Sequence, residues 1–333
     1  MKKGQEFAKS LIDFIDKSPS QFHAAKNVED ILIKEGFKKL NFQDKWELEK
    51  EGKYYIIKNN SAIIAFRIGK GEIEENGFKL IGAHTDAPGF RIKPNPEMTV
   101  EGKYLKLNTE VYGGPILNTW FDRPLSMAGR VSIKTENPLK PKELLMDIEK
   151  PIMIIPNLAI HMNKGVNDGL KINPQIETLP LLATINDKFE KDNFLLKLIA
   201  ENLDVNVEDI LDFELYLYEV EKGSLVGLNE EFISIGKLDD LAMVHAGLYG
   251  LIDSKVGDAT NVLICFDNEE VGSRTKQGAA SPMLRTVLER ISIAMGKDRE
   301  DYYRALSNSF LISSDQAHAL HPNYTEKQDP TSR

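Results

Sequence analysis

The sequence predicts an α/β fold, a sheet flanked by helices and interrupted by a mostly β insertion. Three observations predict it. After Phe232 the chain reads "LDDLAMVHAGLYGLIDS", "NVLICFD", "SPMLRTVLERISIAM" and "SFLISSDQ", helix then strand twice over, which is the grammar of a mostly parallel sheet. From Tyr54 onward, "KYYIIKN", "SAIIAFRIG" and "FKLIGAHTD" are short, β-branched and bounded by Asn and Gly, as strands are. From about Lys93 to Gly227, Pro and Asn breaks separate short apolar pieces, which predicts β structure with a lid-like helix or two.

Taken in order, two helices open the chain. Phe7, Leu11, Ile12 and Ile15 recur at helical spacing, a better fit to an amphipathic helix than to a signal peptide. The second helix begins in "SPSQFHAAKNVEDILIKEGF", with Ser18 or Ser20 as its cap and Gly36 as its stop. The three strands follow. In the middle part "YLKLNTEVYGG", "AGRVSIK" and "FELYLYEV" read as further strands, and the helix–strand alternation closes the chain.

Composition narrows the function. At 333 residues the chain is long enough for two domains. Its net charge of −9, with no strong basic cluster, argues against nucleic-acid binding. The one cysteine, Cys265, lies inside an apolar run and is expected to be a buried small side chain rather than a reactive thiol. A single cysteine also excludes an internal disulfide framework and a Cys-based zinc site. No apolar run approaches the ~20 residues of a membrane-spanning helix, so the cytoplasm is the expected compartment and no membrane partner is expected.

Three of the predicted strands end in polar chemistry. "FKLIGAHTD" runs into His84 and Asp86, "NVLICFDNEE" into Glu269 and Glu270, and "FLISSDQ" into Asp315. In open α/β sheets, ligands bind beyond the carboxyl ends of the strands, so these groups are expected along one rim. Asp239 and Asp240 add a fourth contribution at a helix start. One of them can be a helix cap, which leaves the other to be explained. A set of imidazole and carboxylates suits Zn, Mn or Co better than Ca. Adjacent glutamates suit a division of labour, one on a metal and one free to take a proton from water. In His-X-Asp, the carboxylate would orient the imidazole. His245 and His23 are read as packed helix residues. His318 and His321 line the pocket or serve in loop hydrogen bonds, and Trp120 and Phe121 shape the pocket mouth or simply pack.

The blocks "GAHTDAPGFRIKPNP", "LNTWFDRPLSMAGRV", "IPNLAIHMN", "IGKLDDLAM", "FDNEEVGSRTKQGA" and "SSDQAHALHPNY" resemble the M18 metalloaminopeptidases, the aspartyl aminopeptidase and vacuolar aminopeptidase I group. The resemblance implies a zinc-peptidase-like mixed sheet flanked by helices, with an inserted β-rich dimerisation domain. Residues 1–92 and 230–333 would form the catalytic domain and residues 93–229 the dimerisation and lid insertion. It further implies two Zn2+ per subunit, Mn2+ or Co2+ being alternatives, and homo-oligomers built from dimers. The activity implied is removal of N-terminal residues, acidic ones among them, from peptides.

Carried over by position, the resemblance makes His84, Asp239 and Asp315 ligands of one metal, with Asp239 bridging to a second held by Glu270. Glu269 becomes the general base and Asp86 the support of His84. His161 is either a metal ligand or a substrate contact reaching into a neighbouring subunit, and a plain core-strand role for "LAIH" stays open beside these. The sequence stops at "HPNYTEKQDPTSR", before the Ser-Met-His-Ser type motif that the resemblance implies for the second metal's histidine. That leaves the second site Asp239 and Glu270, with weaker metal binding expected. It also makes a truncated, non-catalytic remnant or assembly subunit the alternative to a metalloaminopeptidase. Missing core elements would be expected to uncover apolar surface and a sheet edge.

Overall fold

The computed structural model describes residues 2–186, 193–329 and 331. Helices α1 (Lys2–Asp16) and α2 (Gln21–Lys34) open the chain, turning Leu11, Phe14 and Ile15, then Val28 and Leu32, into one core. Ser20 sits at the N-cap of α2 but caps no amide. Its hydroxyl lies 2.8 Å from His23 Nδ1, so an imidazole one turn away takes the place of the backbone. Ser18 donates to Phe14 O at 2.7 Å instead. Gly36 stops the helix as expected, at φ +81 with its N–H on Ile33 O.

The first sheet takes β1 (Lys38–Lys39), β2 (Lys53–Lys58) and β3 (Ala62–Arg67). After a short α3 (Ile73–Asn76), β4 (Phe78–His84) joins the same sheet. The chain then leaves to build a second sheet from β5 (Gly89–Val100), β6 (Tyr104–Tyr112), β7 (Leu125–Ile133) and β8 (Lys142–Asp147). Helix α4 (Pro174–Glu177), β9 (Leu181–Thr184), α5 (Phe194–Leu203) and β10 (Ile210–Glu219) complete that part. A small hairpin, β11 (Ser224–Val226) with β12 (Phe232–Ser234), leads back. Helix α6 (Leu238–Asp253), β13 (Thr260–Phe266), α7 (Met283–Ala294), α8 (Arg299–Ser307) and β14 (Phe310–Ser313) finish the first sheet and its covering.

The first sheet runs β1-β2-β3-β13-β4-β14. The pairs β1–β2, β13–β4 and β14–β4 are parallel, while β2–β3 and β3–β13 are antiparallel, so the sheet is mixed. Its central strand β13 sends Leu263 and Cys265 to the core beneath α1, α2 and α6, and Val262 and Ile264 to the core beneath α7 and α8. That alternation is the period-2 pattern of a strand covered on both faces. Cys265 is fully buried and free.

The second sheet runs β8-β7-β10-β5-β6-β9 and is antiparallel throughout. Helix α5 packs fully buried Leu195 and Ile199 into the core of this sheet. Burial of such side chains stabilises by about 1.5–3 kcal/mol each, which ties the helix down.

Candidate metal centre

Parallel pairing sets the site. Strands β4, β13 and β14 run the same way, with His84 opposite Phe266 and Gly82 opposite Ser313, so their carboxyl ends share one rim. His84 is 4% exposed and closes β4. Its Nε2 lies 3.3 Å from Asp239 Oδ1, 3.9 Å from Glu269 Oε2 and 3.9 Å from Asp315 Oδ1. Two groups of ligand atoms result, each lying within 4.8 Å of one another: His84 with Asp239, Asp240 and Asp315, and His84 with Glu269 and Glu270.

The two aspartates at the start of α6, joined by a cis peptide bond, do different things. Asp240 is fully buried and accepts the His84 backbone N–H at 3.0 Å, bracing the strand end. Asp239 stays half-exposed and faces the imidazole. Neither caps the helix, whose N-cap is Lys237 with no side-chain cap bond, so the capping role considered for one of them is replaced by this brace.

Asp86 anchors the opposite side of the imidazole. It is fully buried, and His84 Nδ1 sits 3.0 Å from its carbonyl oxygen and 3.3 Å from its Oδ1. The same carboxylate accepts the Glu269 and Glu270 backbone N–H groups, each at 3.2 Å, and the Tyr112 hydroxyl at 2.7 Å. Holding the Nδ1 side leaves Nε2 to face the acids, the arrangement that orients an imidazole toward a metal. Close by, the turn after β6 meets the site at Gly113, whose φ is +66. An added Cβ there would lie 2.9 Å from Glu270 Cβ, so only glycine fits without displacement.

The electrostatics are those of carboxylates crowded around one imidazole. Burial pushes the Glu270 carboxyl up, and the charge of Asp239, with those of Asp86 and Glu269, helps bring it to about 7. Asp240 rises to about 7 through burial and then the charges of Asp315 and Asp239, against the pull of the His84 amide. Asp239 moves up as well, by burial first and then the charge of Asp315. For His84 burial alone would lower the imidazole. The hydrogen bond and charge of Asp86, with the charges of Asp240 and Glu269, outweigh it and hold it at about 9. Among the described residues, Asp240 Oδ1 is buried without a hydrogen-bond partner. One imidazole and several convergent carboxylates, mutually repelling and only partly satisfied, fit Zn2+ or a similar borderline cation.

His84, Asp86, Asp239, Glu269, Glu270 and Asp315 are thus brought together. His161 is not: it lies exposed in the stretch after β8 and belongs to neither ligand group. His245 is 1% exposed in a box of Phe7, Phe14 and Tyr249. His321 accepts the Asn323 N–H at 3.1 Å, and His318 is exposed. Trp120 stacks edge-on against Phe90 at 5.1 Å. It also lines a cleft of about 540 Å³ together with Thr85, Pro88, Tyr218 and Lys237. Sequence reasoning missed Tyr112 and Asn268, which lie behind the ligands; the Tyr-Gly-Gly turn ending a strand was their one local signal.

The family model for aminopeptidase I zinc metalloproteases (M18) matches residues 14–333. A curated relative, "Probable M18 family aminopeptidase 2" of Clostridium novyi (strain NT), is 63% identical over 333 residues, covering 100% of this chain and 77% of the relative. Among solved structures, Ape4 in its complex with Nbr1 superposes with a TM-score of 0.93 at 35% identity, covering 98% of this chain and 66% of that one. The S. cerevisiae mApe1 dodecamer gives a TM-score of 0.83 at 30% identity, with 97% and 74% covered. The chain thus spans 66–77% of the length of these three proteins.

Proposed function

The chain belongs to the M18 family of zinc metalloproteases, and on that premise we propose that it is a metal-dependent aminopeptidase of the cytoplasm. It would remove N-terminal residues, acidic ones among them, from peptides. The observation that carries the reading is the pair of ligand groups that meet at His84 on the rim of β4, β13 and β14. His84, Asp239 and Asp315 would hold one Zn2+, and Asp239 with Glu270 the other; Mn2+ or Co2+ would fit the same donors. Zinc, when bound, supplies Lewis acidity that polarises the scissile carbonyl and makes water more acidic.

The chain's own residues supply the rest. Glu269 is half-exposed at the rim with its backbone fixed on Asp86, free to take a proton from the attacking water. As the water oxygen adds to the carbonyl carbon and the C–N bond breaks, Glu269 returns that proton to the leaving amine. Asp86 holds the His84 ring and the backbone of both glutamates in one geometry. His161, exposed and in neither ligand group of its own chain, suits the role of a substrate contact reaching into a neighbouring subunit.

Residues 1–92 and 230–333 would form the catalytic body and residues 93–229 the insertion through which subunits pair. A homo-oligomeric state is supported by the similarity to the mApe1 dodecamer and by exposed Leu158, Ile160 and Met162 around His161. The test is release of aminoacyl chromogenic substrates, Asp and Glu derivatives included, with and without added Zn2+, Mn2+ or Co2+. Metal-dependent release that falls at least ~100-fold in Glu269→Gln supports the reading. Folded protein that shows no such activity with each metal supplied in excess overturns it, and metal counting then separates the alternatives. Two tight ions per chain mark a dinuclear hydrolase of another amide bond, and one or none a non-catalytic assembly subunit.

A further inference from the structure

We propose that Tyr112 is a positioning residue for the metal centre, delivered by the second sheet to the carboxylate behind the ligands. The inference rests on the metal-centre reading above. Asp86 is fully buried, and the ion pair it makes among the described residues is with His84. A buried carboxylate in that position depends on its hydrogen-bond donors. Two of them are backbone N–H groups at 3.2 Å, those of Glu269 and Glu270. The shorter bond is the Tyr112 hydroxyl at 2.7 Å on Oδ2.

The direction of that bond is fixed by what lies behind it. Asn268 Nδ2 donates to the Tyr112 oxygen at 2.9 Å. Asn268 Oδ1 is engaged by Thr275 Oγ1 and by Gln277 Nε2, each at 2.8 Å, so the amide cannot turn over without losing both bonds. With its oxygen already accepting from Asn268, the phenol gives its own proton to Asp86. The ring is held edge-on against Tyr216 at 5.2 Å and packs with Phe22. Tyr112 is the last residue of β6 and stands opposite Gly89 in the β5–β6 ladder. The register of the second sheet therefore sets where the hydroxyl lies, and Asp86 passes that placement to the His84 ring and to the Glu269–Glu270 turn at once.

The experiment compares Tyr112→Phe with Tyr216→Phe in the full chain. Tyr216 belongs to the same aromatic cluster, and its hydroxyl bonds Glu214 rather than Asp86. Zn2+ affinity is measured by chelator competition, apo-protein stability by thermal unfolding, and ligand geometry by the visible spectrum of the Co2+-loaded protein. Tyr112→Phe is expected to lose about 10–100-fold in Zn2+ affinity with a changed Co2+ spectrum, while Tyr216→Phe lowers apo stability and keeps wild-type Zn2+ affinity. Unchanged affinity in Tyr112→Phe, or an equal loss in both variants, overturns the proposal. Wild-type protein that binds no Zn2+ overturns the metal-centre reading itself and the proposal with it. Should Tyr112→Phe not fold, Asn268→Ala, which frees the hydroxyl to rotate, is judged in the same way: a several-fold loss supports the proposal and none overturns it.

Discussion

Asp239–Asp240 and Glu269–Glu270 are adjacent acids that differ in what their neighbours allow. Asp240 is spent on the His84 amide and Asp239 is free to face the imidazole; Glu270 is partly buried beside Gly113, and Glu269 reaches toward solvent. Without a cation the group holds extra protons in the folded chain, since Glu270 and Asp240 titrate at about 7 and His84 at about 9. All three lie above their unfolded values, so the folded state binds more protons and the metal-free chain loses stability as pH rises through these ranges. A cation held by His84 and Glu270 must displace the protons on those two groups. The expected outcome is that apparent Zn2+ affinity climbs steeply between pH 5.5 and 7.5, by about tenfold per pH unit for each proton released. Zn2+ titrations monitored by thermal shift at several pH values measure this, and a flat profile would refute the acid-cluster account.

At the scale of elements, helix α6 carries the opposite titration behind the site. His245 is 1% exposed, its Nε2 lies 3.0 Å from Ser10 Oγ of α1, and its Nδ1 has no partner among the described residues. Burial lowers it to about 4. A depressed imidazole favours the folded state above the unfolded pKa near 6.5, and that contribution fades as pH falls from 6.5 toward 4. The amount is of order 3 kcal/mol. His245→Gln should therefore flatten the acid limb of stability, read as urea midpoints from pH 7 to pH 4, and parallel limbs in variant and wild type would disprove it. The elements that carry a face were legible: β13 alternates between two cores, and His84, Glu269, Glu270 and Asp315 follow strands that could be seen to end. Strand β5 was hidden because Pro94 and Pro96 read as breaks. They lie where the β5–β6 register shifts, between Ile92 and Glu97, a place where a strand tolerates proline. Helix α8 was hidden because it buries only Tyr302 and Ala305, too few to show a period, although its Asp298–Asp301 capping box is written in the sequence. Tyr112 was hidden for a third reason, that its partner Asp86 is brought to it by hairpin register and not by local pattern.

For the whole molecule, the two ends of the first sheet are unequal. At one end, the two-residue strand β1 presents exposed Lys38 and Lys39, a charged edge of the kind that resists pairing. At the other, β14 pairs with β4 on one side, and Phe310, Leu311 and Ile312 are 63%, 51% and 51% exposed. Among the described residues this edge is unpaired and apolar, and an unpaired strand edge is a template for another chain. A net charge of −9 keeps chains apart at low salt, so the 333-residue chain is expected to self-associate more as salt screens that repulsion. Sedimentation velocity across chain concentration and salt distinguishes two modes. Subunit pairing through the insertion, as proposed above, would be a closed interaction with one defined mass. Clustering of the exposed apolar β14 side chains, which fixes no single orientation, would instead give a broad, growing distribution. Ile312→Lys puts a charge on the edge and should remove the broad component by about fivefold or more while leaving any defined oligomer in place. A broad component that survives the substitution would place the contact on another surface, with the exposed Leu158–Met162 stretch the next face to charge.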